Sequence, residues 1–211
     1  MLVQADGVSV AVGGITLLAP ASVHARAGEV VAIRGGNGSG KTTLLRVIAG
    51  AVPATSGSVS VASARVDQRD ATFRRRVASL IGLPPLARNL TLGEHLRLVG
   101  LSLGGSGGES DTRASELLAS LDLAALASRF PHELSSGQTQ LFALALTLVR
   151  PSEVLLLDEP EQRLDADRLA LVRDRIRRAA AEGCAVVMAT HSDWLAGEVA
   201  QRTVTLSPAH G

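Results

Sequence analysis

Apolar residues recur along this chain with two different periods, and glycine, proline and small polar residues mark where one gives way to the other. Polar and apolar positions alternate weakly from Gly7 to Val12, Gly13-Gly14 supplies a turn, and Gly28-Glu29 leads into the uninterrupted apolar run Val30 to Ile33. Alternation reads as a half-buried strand and a short continuous run as a fully buried one, so the first thirty-odd residues are expected to be short strands. A glycine-rich loop follows. From Thr43 the apolar positions Leu44, Leu45 and Ile48 share a helix face, until Gly50 and Pro53 close the segment. Ser56-Gly57 then introduces Ser58 to Ala62, expected as a strand of a small antiparallel sheet.

From about Thr72 to Ser128 the pattern is mostly helical, broken by Pro84-Pro85 and by Ser102 to Ser110, whose Gly-Gly-Ser-Gly-Gly core is expected to be flexible. This stretch reads as a helical insertion. Beyond Pro131 the α/β pattern returns: a helix from about Ser136 to Pro151, a buried strand from Val154 to Leu157, and a helix whose Leu169, Val172 and Ile176 share a face. Arg177 and Arg178 sit in the last turn of that helix, Gly183 stops it, and Cys184 to Ala189 is a further buried strand. The expectation is an α/β fold with a mostly parallel sheet, an antiparallel β-subdomain near the N-terminus and an inserted helical subdomain. The chain is taken as one domain, 1–211, with its core at about 1–79 and 136–211 and the helical subdomain at about 80–135.

Composition narrows the possibilities. With 46% hydrophobic and 19% charged residues in 211, the chain can bury a real core, which excludes disordered and fibrous classes. Lys plus Arg number 21 against 20 Asp plus Glu, so no strong field is available to hold polyanions, and nucleic acid is not expected as a partner. Tyr is absent and aromatics are 2%, which leaves few stacking platforms for bases of single strands. The single Cys184 excludes an internal disulfide framework and fits a reducing compartment. The opening residues Met-Leu-Val-Gln-Ala-Asp do not read as a secretory signal, and the longest apolar run, Leu141 to Val149, is far short of the ~18 residues of a membrane span. Lys41 is the only lysine, every other basic residue being arginine.

That lysine lies in Gly35, Gly36, Asn37, Gly38, Ser39, Gly40, Lys41, Thr42, Thr43, which satisfies the phosphate-loop pattern of Gly, four residues, Gly, Lys and Ser/Thr. Glycines reach left-handed backbone angles and let successive N–H groups converge, and a helix N-terminus adds its free donors. Lys41 would reach the β and γ phosphates and Thr42 would offer its hydroxyl to Mg²⁺. The bland alternative is a glycine-rich turn, for which a chance match is on the order of one per cent in a chain this long. A second signal is Val154 to Pro160, an apolar strand delivering two carboxylates at its carboxyl end, where open parallel sheets place ligands. Asp158 would hold Mg²⁺ and Glu159 would act as general base or water-positioner; alone, the same residues read equally as a charged strand end before a turn.

At Leu134-Ser135-Ser136-Gly137-Gln138 a small polar cluster precedes an apolar helical run, and Ser135 reads as a helix N-cap. Taken in order, the phosphate loop, Leu-Ser-Ser-Gly-Gln, Leu-Leu-Leu-Asp-Glu-Pro, Leu164-Asp165 and Thr190-His191 resemble the nucleotide-binding subunit of ABC transporters over nearly the whole chain. The resemblance implies a P-loop NTPase core and a head-to-tail dimer of two nucleotide-binding subunits. ATP would be held between the phosphate loop of one and Ser135, Gly137 and Gln138 of the other. It implies that His191 is a switch histidine at the γ-phosphate, where a lone His at a strand end is more often structural, and that Asp165 links the two sites, where it reads equally as a helix cap. The implied catalytic set is Lys41, Glu159 and His191; the cofactors are ATP and Mg²⁺, the latter on Thr42 and Asp158.

The chain departs from the family pattern in four places. Val12 or a neighbour stands where an aromatic usually stacks on adenine. No Gln lies around Ile81-Gly82-Leu83-Pro84, Glu161-Gln162-Arg163 replaces small residues before Leu164, and Ser136 replaces a common glycine. The resulting expectation is an ATP-hydrolysing subunit that dimerises on ATP and powers a separate membrane permease, located in the cytoplasm at the inner face of a membrane. Two alternatives are a soluble ABC-type ATPase in assembly or remodelling and a slowly hydrolysing regulatory subunit.

Overall fold

The computed structural model describes residues 1–208. It divides into two compact units, one comprising residues 1–81, 152–159 and 176–208, the other 82–151 and 160–175.

The first unit contains both sheets. Strands β1 (Val3–Val12), β2 (Ile15–Ala25), β4 (Ser56–Val61) and β5 (Ala64–Arg65) form an antiparallel sheet in the order β2-β1-β4-β5. Strands β3 (Val30–Arg34), β6 (Val77–Leu80), β7 (Val154–Asp158), β8 (Ala185–Ala189) and β9 (Arg202–Thr205) form a sheet in the order β6-β7-β8-β3-β9, all pairs parallel. The continuous apolar runs of β3, β7 and β8 are buried because helices cover parallel sheets on their faces. Val31, Ile33, Leu156 and Val187 share a core with Leu44, Leu45 and Ile48 of helix α1 (Lys41–Ile48). Each such side chain contributes roughly 1.5–3 kcal/mol by leaving water. Because β7, β8 and β3 are neighbours and parallel, the segments after all three emerge at one edge of the sheet.

Helix α2 (Ala71–Arg76) starts at Asp70, whose carboxylate accepts from Thr72 N at 2.7 Å. Its continuation corrects the sequence reading, which carried helix through this region. Val77 to Leu80 is instead the edge strand β6, registered with Val154 to Leu157 and clamped at its start by Glu153 N donating to Arg76 O at 2.9 Å. Four residues are too few for periodicity to distinguish strand from helix, and pairing with β7 decides. Strand β9 lacks an apolar run, so the local pattern does not mark it as a strand.

The second unit is helical: α3 (Leu92–Ser102), α4 (Gly107–Ser120), α5 (Ser136–Leu148) and the first turns of α6 (Ala166–Ala181), which runs on into the first unit. It extends past the 80–135 segment expected from sequence, taking in α5 and 160–175. Of the glycine segment expected as flexible, Gly104 and Gly105 lie outside any helix, and Gly107 and Gly108 start α4. Ser106 accepts from Glu109 N at 3.3 Å while the Glu109 carboxylate accepts from Ser106 N at 3.0 Å, and this reciprocal cap outweighs the poor helix propensity of Gly107 and Gly108. The Arg113 guanidinium donates to Val149 O at 2.7 Å and Leu148 O at 3.0 Å, satisfying carbonyls at the end of α5. That helix stops at Leu148, short of Pro151. Buried His95 is structural: Nδ1 meets Thr91 O at 2.8 Å, Nε2 accepts from Ala87 N at 3.0 Å, and the ring packs edge-on to Phe142. Among the described residues no helix is long and apolar enough to cross a membrane.

Candidate functional site

The loop Gly35 to Gly40 joins buried β3 to α1. Its last residue, Gly40, has φ +90°, and a Cβ there would stand 2.8 Å from both Leu17 O and Leu18 Cδ1, so β2 abuts the loop and only glycine fits. No side chain caps α1, which leaves the N–H groups of its first turn to a ligand or water. Gly36, Asn37 and Gly38 are exposed, whereas Ser39 is buried with no hydrogen-bond partner for its hydroxyl among the described residues. Lys41, 7% exposed, folds its ammonium back onto Gly35 O at 2.9 Å and Gly36 O at 3.1 Å. A cation held by neutral carbonyls is a cation set to exchange them for a stronger anionic partner.

Two further strand ends complete this group. Thr42 Oγ1 donates to Asp158 Oδ2 at 2.7 Å, joining the start of α1 to the end of β7. Asp158 Oδ1 is buried and has no hydrogen-bond partner among the described residues. A hydroxyl bonded to a carboxylate whose second oxygen is orphaned is a hard-oxygen donor set, and it fits a divalent cation such as Mg²⁺. Glu159, next in the chain, has φ +48°, a left-handed angle costly for any residue but glycine; its N–H donates to Ala189 O at 2.9 Å. Its Oε1 lies 3.3 Å from His191 Nε2, just beyond β8, with the two side chains 35% and 45% exposed. Lys41, Thr42, Asp158, Glu159 and His191 thus all belong to the first unit, at the carboxyl edge of one sheet.

Ser135, Gly137 and Gln138 lie in the second unit. Ser135 Oγ accepts from Gln138 N at 3.3 Å and Gln138 Oε1 accepts from Ser135 N at 2.9 Å, so this pair caps α5 reciprocally. Gly137 is buried, and a Cβ there would stand 3.0 Å from Arg163 O. Asp165 accepts from Arg168 N at 2.9 Å at the start of α6, the geometry of a helix cap. On the antiparallel sheet, Val12 and Ile15 pair across the turn and are 61% and 63% exposed; β1 and β2 carry no Phe, Tyr or Trp.

Sequence reading missed one contact beside this group. Arg34, the last residue of β3, donates to Asp193 Oδ1 at 2.6 Å. A lone charge ending an otherwise apolar strand was its one available signal.

The family model for ABC transporter matches residues 18–162. This chain belongs to the ABC transporter family. It is 36% identical over 215 residues to the sulfate/thiosulfate import ATP-binding protein CysA of Vibrio cholerae, a match covering 98% of this chain and 56% of that protein. It is 37% identical over 181 residues to the cytochrome c biogenesis ATP-binding export protein CcmA of Cereibacter sphaeroides, covering 86% of this chain and 78% of that one. The chain therefore spans little more than half the length of CysA. Among solved structures, an ATP-binding subunit of an ABC transporter superposes with a TM-score of 0.89 at 28% identity, covering 99% of this chain and 87% of that one. A dimeric ATP-binding cassette in a post-hydrolysis state, bound to ADP and Pi, superposes with a TM-score of 0.87 at 27% identity, covering 98% and 95%. The fold is the P-loop NTPase fold of ABC ATPase domains, as the motif order implied.

Proposed function

We propose that this ABC family member binds ATP with Mg²⁺, hydrolyses it, and dimerises on ATP with a second nucleotide-binding subunit, driving a separate membrane permease from the cytoplasmic face. The observation that carries this reading is the convergence of Lys41, the Thr42–Asp158 pair and the Glu159–His191 pair at one sheet edge. Lys41 leaves Gly35 O and Gly36 O for the β and γ phosphates, while the N–H groups of Gly36 to Thr43 hold the phosphate oxygens. Thr42 and Asp158 would hold Mg²⁺, which when bound offsets charge on the phosphate oxygens. Glu159 orients the attacking water and takes its proton, and His191, within reach of Glu159, fixes that carboxylate and contacts the γ-phosphate.

Ser135, Gly137 and Gln138 act on the γ-phosphate of the partner subunit. Ser135 is exposed at a helix N-terminus, and buried Gly137 brings backbone close to the same place. The dimeric neighbour bound to ADP and Pi supports this arrangement. The relatives named above include an importer and an exporter, and neither the cargo nor the direction follows from the residues of this site. Sedimentation of the purified chain with Mg²⁺ and ATP tests the reading. A dimer that forms with ATP and parts as phosphate is released is expected; a species unchanged by ATP, with no phosphate release, overturns it.

A further inference from the structure

The segment that carries His191 is tied to β3 on both sides of the histidine. Before it, Thr190 N donates to Ile33 O at 3.3 Å; after it, Asp193 Oδ1 accepts from Arg34 Nη2 at 2.6 Å. Ile33 and Arg34 are the last two residues of β3, and Gly35 begins the phosphate loop. Inside the bracket Ser192 N donates to Thr190 Oγ1 at 3.0 Å, and Ser192 Oγ accepts from Leu195 N at 3.1 Å, which starts α7 (Asp193–Val199). The backbone of Arg34 is fixed as well: its carbonyl accepts from Leu206 N at 2.8 Å, and the residue is registered with Thr205 of β9. Its side chain is 26% exposed, that of Asp193 93%. The less exposed, better anchored partner is therefore Arg34, and Asp193 is the exposed end of this tie.

From this the geometry points to Arg34 as a positioning residue: through Asp193 it holds the His191 segment in register with the phosphate loop, so that His191 stays beside Glu159. The inference rests on the hydrolytic role proposed for that pair. The side-chain hydrogen bond of Arg34 goes to Asp193, outside the Thr42–Asp158 and Glu159–His191 pairs, and it acts by limiting where His191 can be. An exposed ion pair is worth a small free energy, so its loss should be read as a factor of about two to five, not as inactivation.

The test compares wild type with Arg34→Met, Asp193→Asn, the double variant and Arg34→Lys. Under the proposal, Arg34→Met lowers kcat about two- to fivefold with KM for ATP within about twofold, since ground-state binding does not involve the tie. Arg34→Lys keeps more than half of kcat, and the double variant is no worse than the worse single one, because both remove the same contact. Hydrogen exchange gives an activity-independent reading: amides of Ser192 and Leu195 exchange about two- to fivefold faster in Arg34→Met. Additive kcat losses, or exchange at those amides equal to wild type, overturn the proposal. Absent turnover in wild type would count against the proposed function instead, and the exchange comparison would still decide the tie.

Discussion

Two substitutions at Glu159 separate what its backbone costs from what its carboxylate does. Its φ of +48° lies in the left-handed region, where a non-glycine residue is disfavoured by roughly 1–2 kcal/mol. Such strain persists when the surrounding structure over-determines it, here through Glu159 N bound to Ala189 O and the fixed end of β7. Glu159→Gln keeps the backbone and the side-chain shape while removing the charge and the proton acceptor. Its pairing with His191 spans 3.3 Å between side chains 35% and 45% exposed, so solvent screening holds the stability change below about 1 kcal/mol. The expected Tm therefore lies within about 3 °C of wild type. Phosphate release falls about 10²–10⁴-fold, the usual contribution of a positioned base, with ATP affinity retained. Glu159→Gly removes the same chemistry and also relieves the angle. That gain is offset by roughly 0.5–1 kcal/mol of extra freedom in the unfolded chain, which leaves a net stabilisation between zero and about 1.5 kcal/mol and a Tm between that of wild type and about 6 °C above it. Calorimetry and phosphate release at saturating Mg²⁺ and ATP read both effects. Wild-type turnover in Glu159→Gln would refute the catalytic assignment, and a Glu159→Gly protein melting well below wild type would refute the claim of strain.

Three other outcomes follow from particular contacts. Gly40→Ala combines a left-handed angle with a backbone oxygen at 2.8 Å, and should cost about 3 kcal/mol, lowering Tm by about 6–12 °C in thermal melts; an unchanged Tm would mean that β2 does not abut the loop. Ser135→Asp keeps an N-cap of equal strength, so Tm should stay within about 2 °C, yet it sets a negative charge where a triphosphate is expected. ATP-driven dimerisation should be lost by sedimentation in Ser135→Asp, and wild-type dimerisation would remove Ser135 from the interface. Burial pushes the Cys184 thiol up from 9.0 to about 11, so the folded protein keeps it protonated while the unfolded chain ionises it, and stability falls as pH rises from about 9 to 11. With no tyrosine and one lysine, few other groups titrate there; a urea midpoint that stays flat across that range would contradict the burial effect.

What was legible in the sequence and what was not divides by the distance over which each feature is determined. The runs Val30 to Ile33 and Val154 to Leu157 are strands because four consecutive buried side chains suit the middle of a parallel sheet, a property visible within the run itself. Val77 to Leu80 has similar composition but follows α2 without a turn residue, and its conformation is set by Val154 to Leu157, more than seventy residues away. The capping boxes at Thr91–Glu94, Ser106–Glu109 and Ser135–Gln138 are local, and a reading that weighed Ser106–Glu109 above its glycines would have found α4. The site follows the same rule. Each chemical residue could be named because it sits at the end of a recognisable element. The local pattern does not show which residues meet: Thr42 meets Asp158 across 116 positions, a pairing that only the family resemblance implied, and Arg34 meets Asp193 across 159, both through the strand order β7-β8-β3. Once that order is known, Asp158, His191 and the phosphate loop must share an edge, because parallel neighbours end on the same side. The sheet order is therefore what converts five separately ambiguous residues into one site. A change that disturbs β8, the strand between the other two, should disturb the Glu159–His191 pair before it disturbs Lys41, whose partners Gly35 O and Gly36 O lie within its own loop.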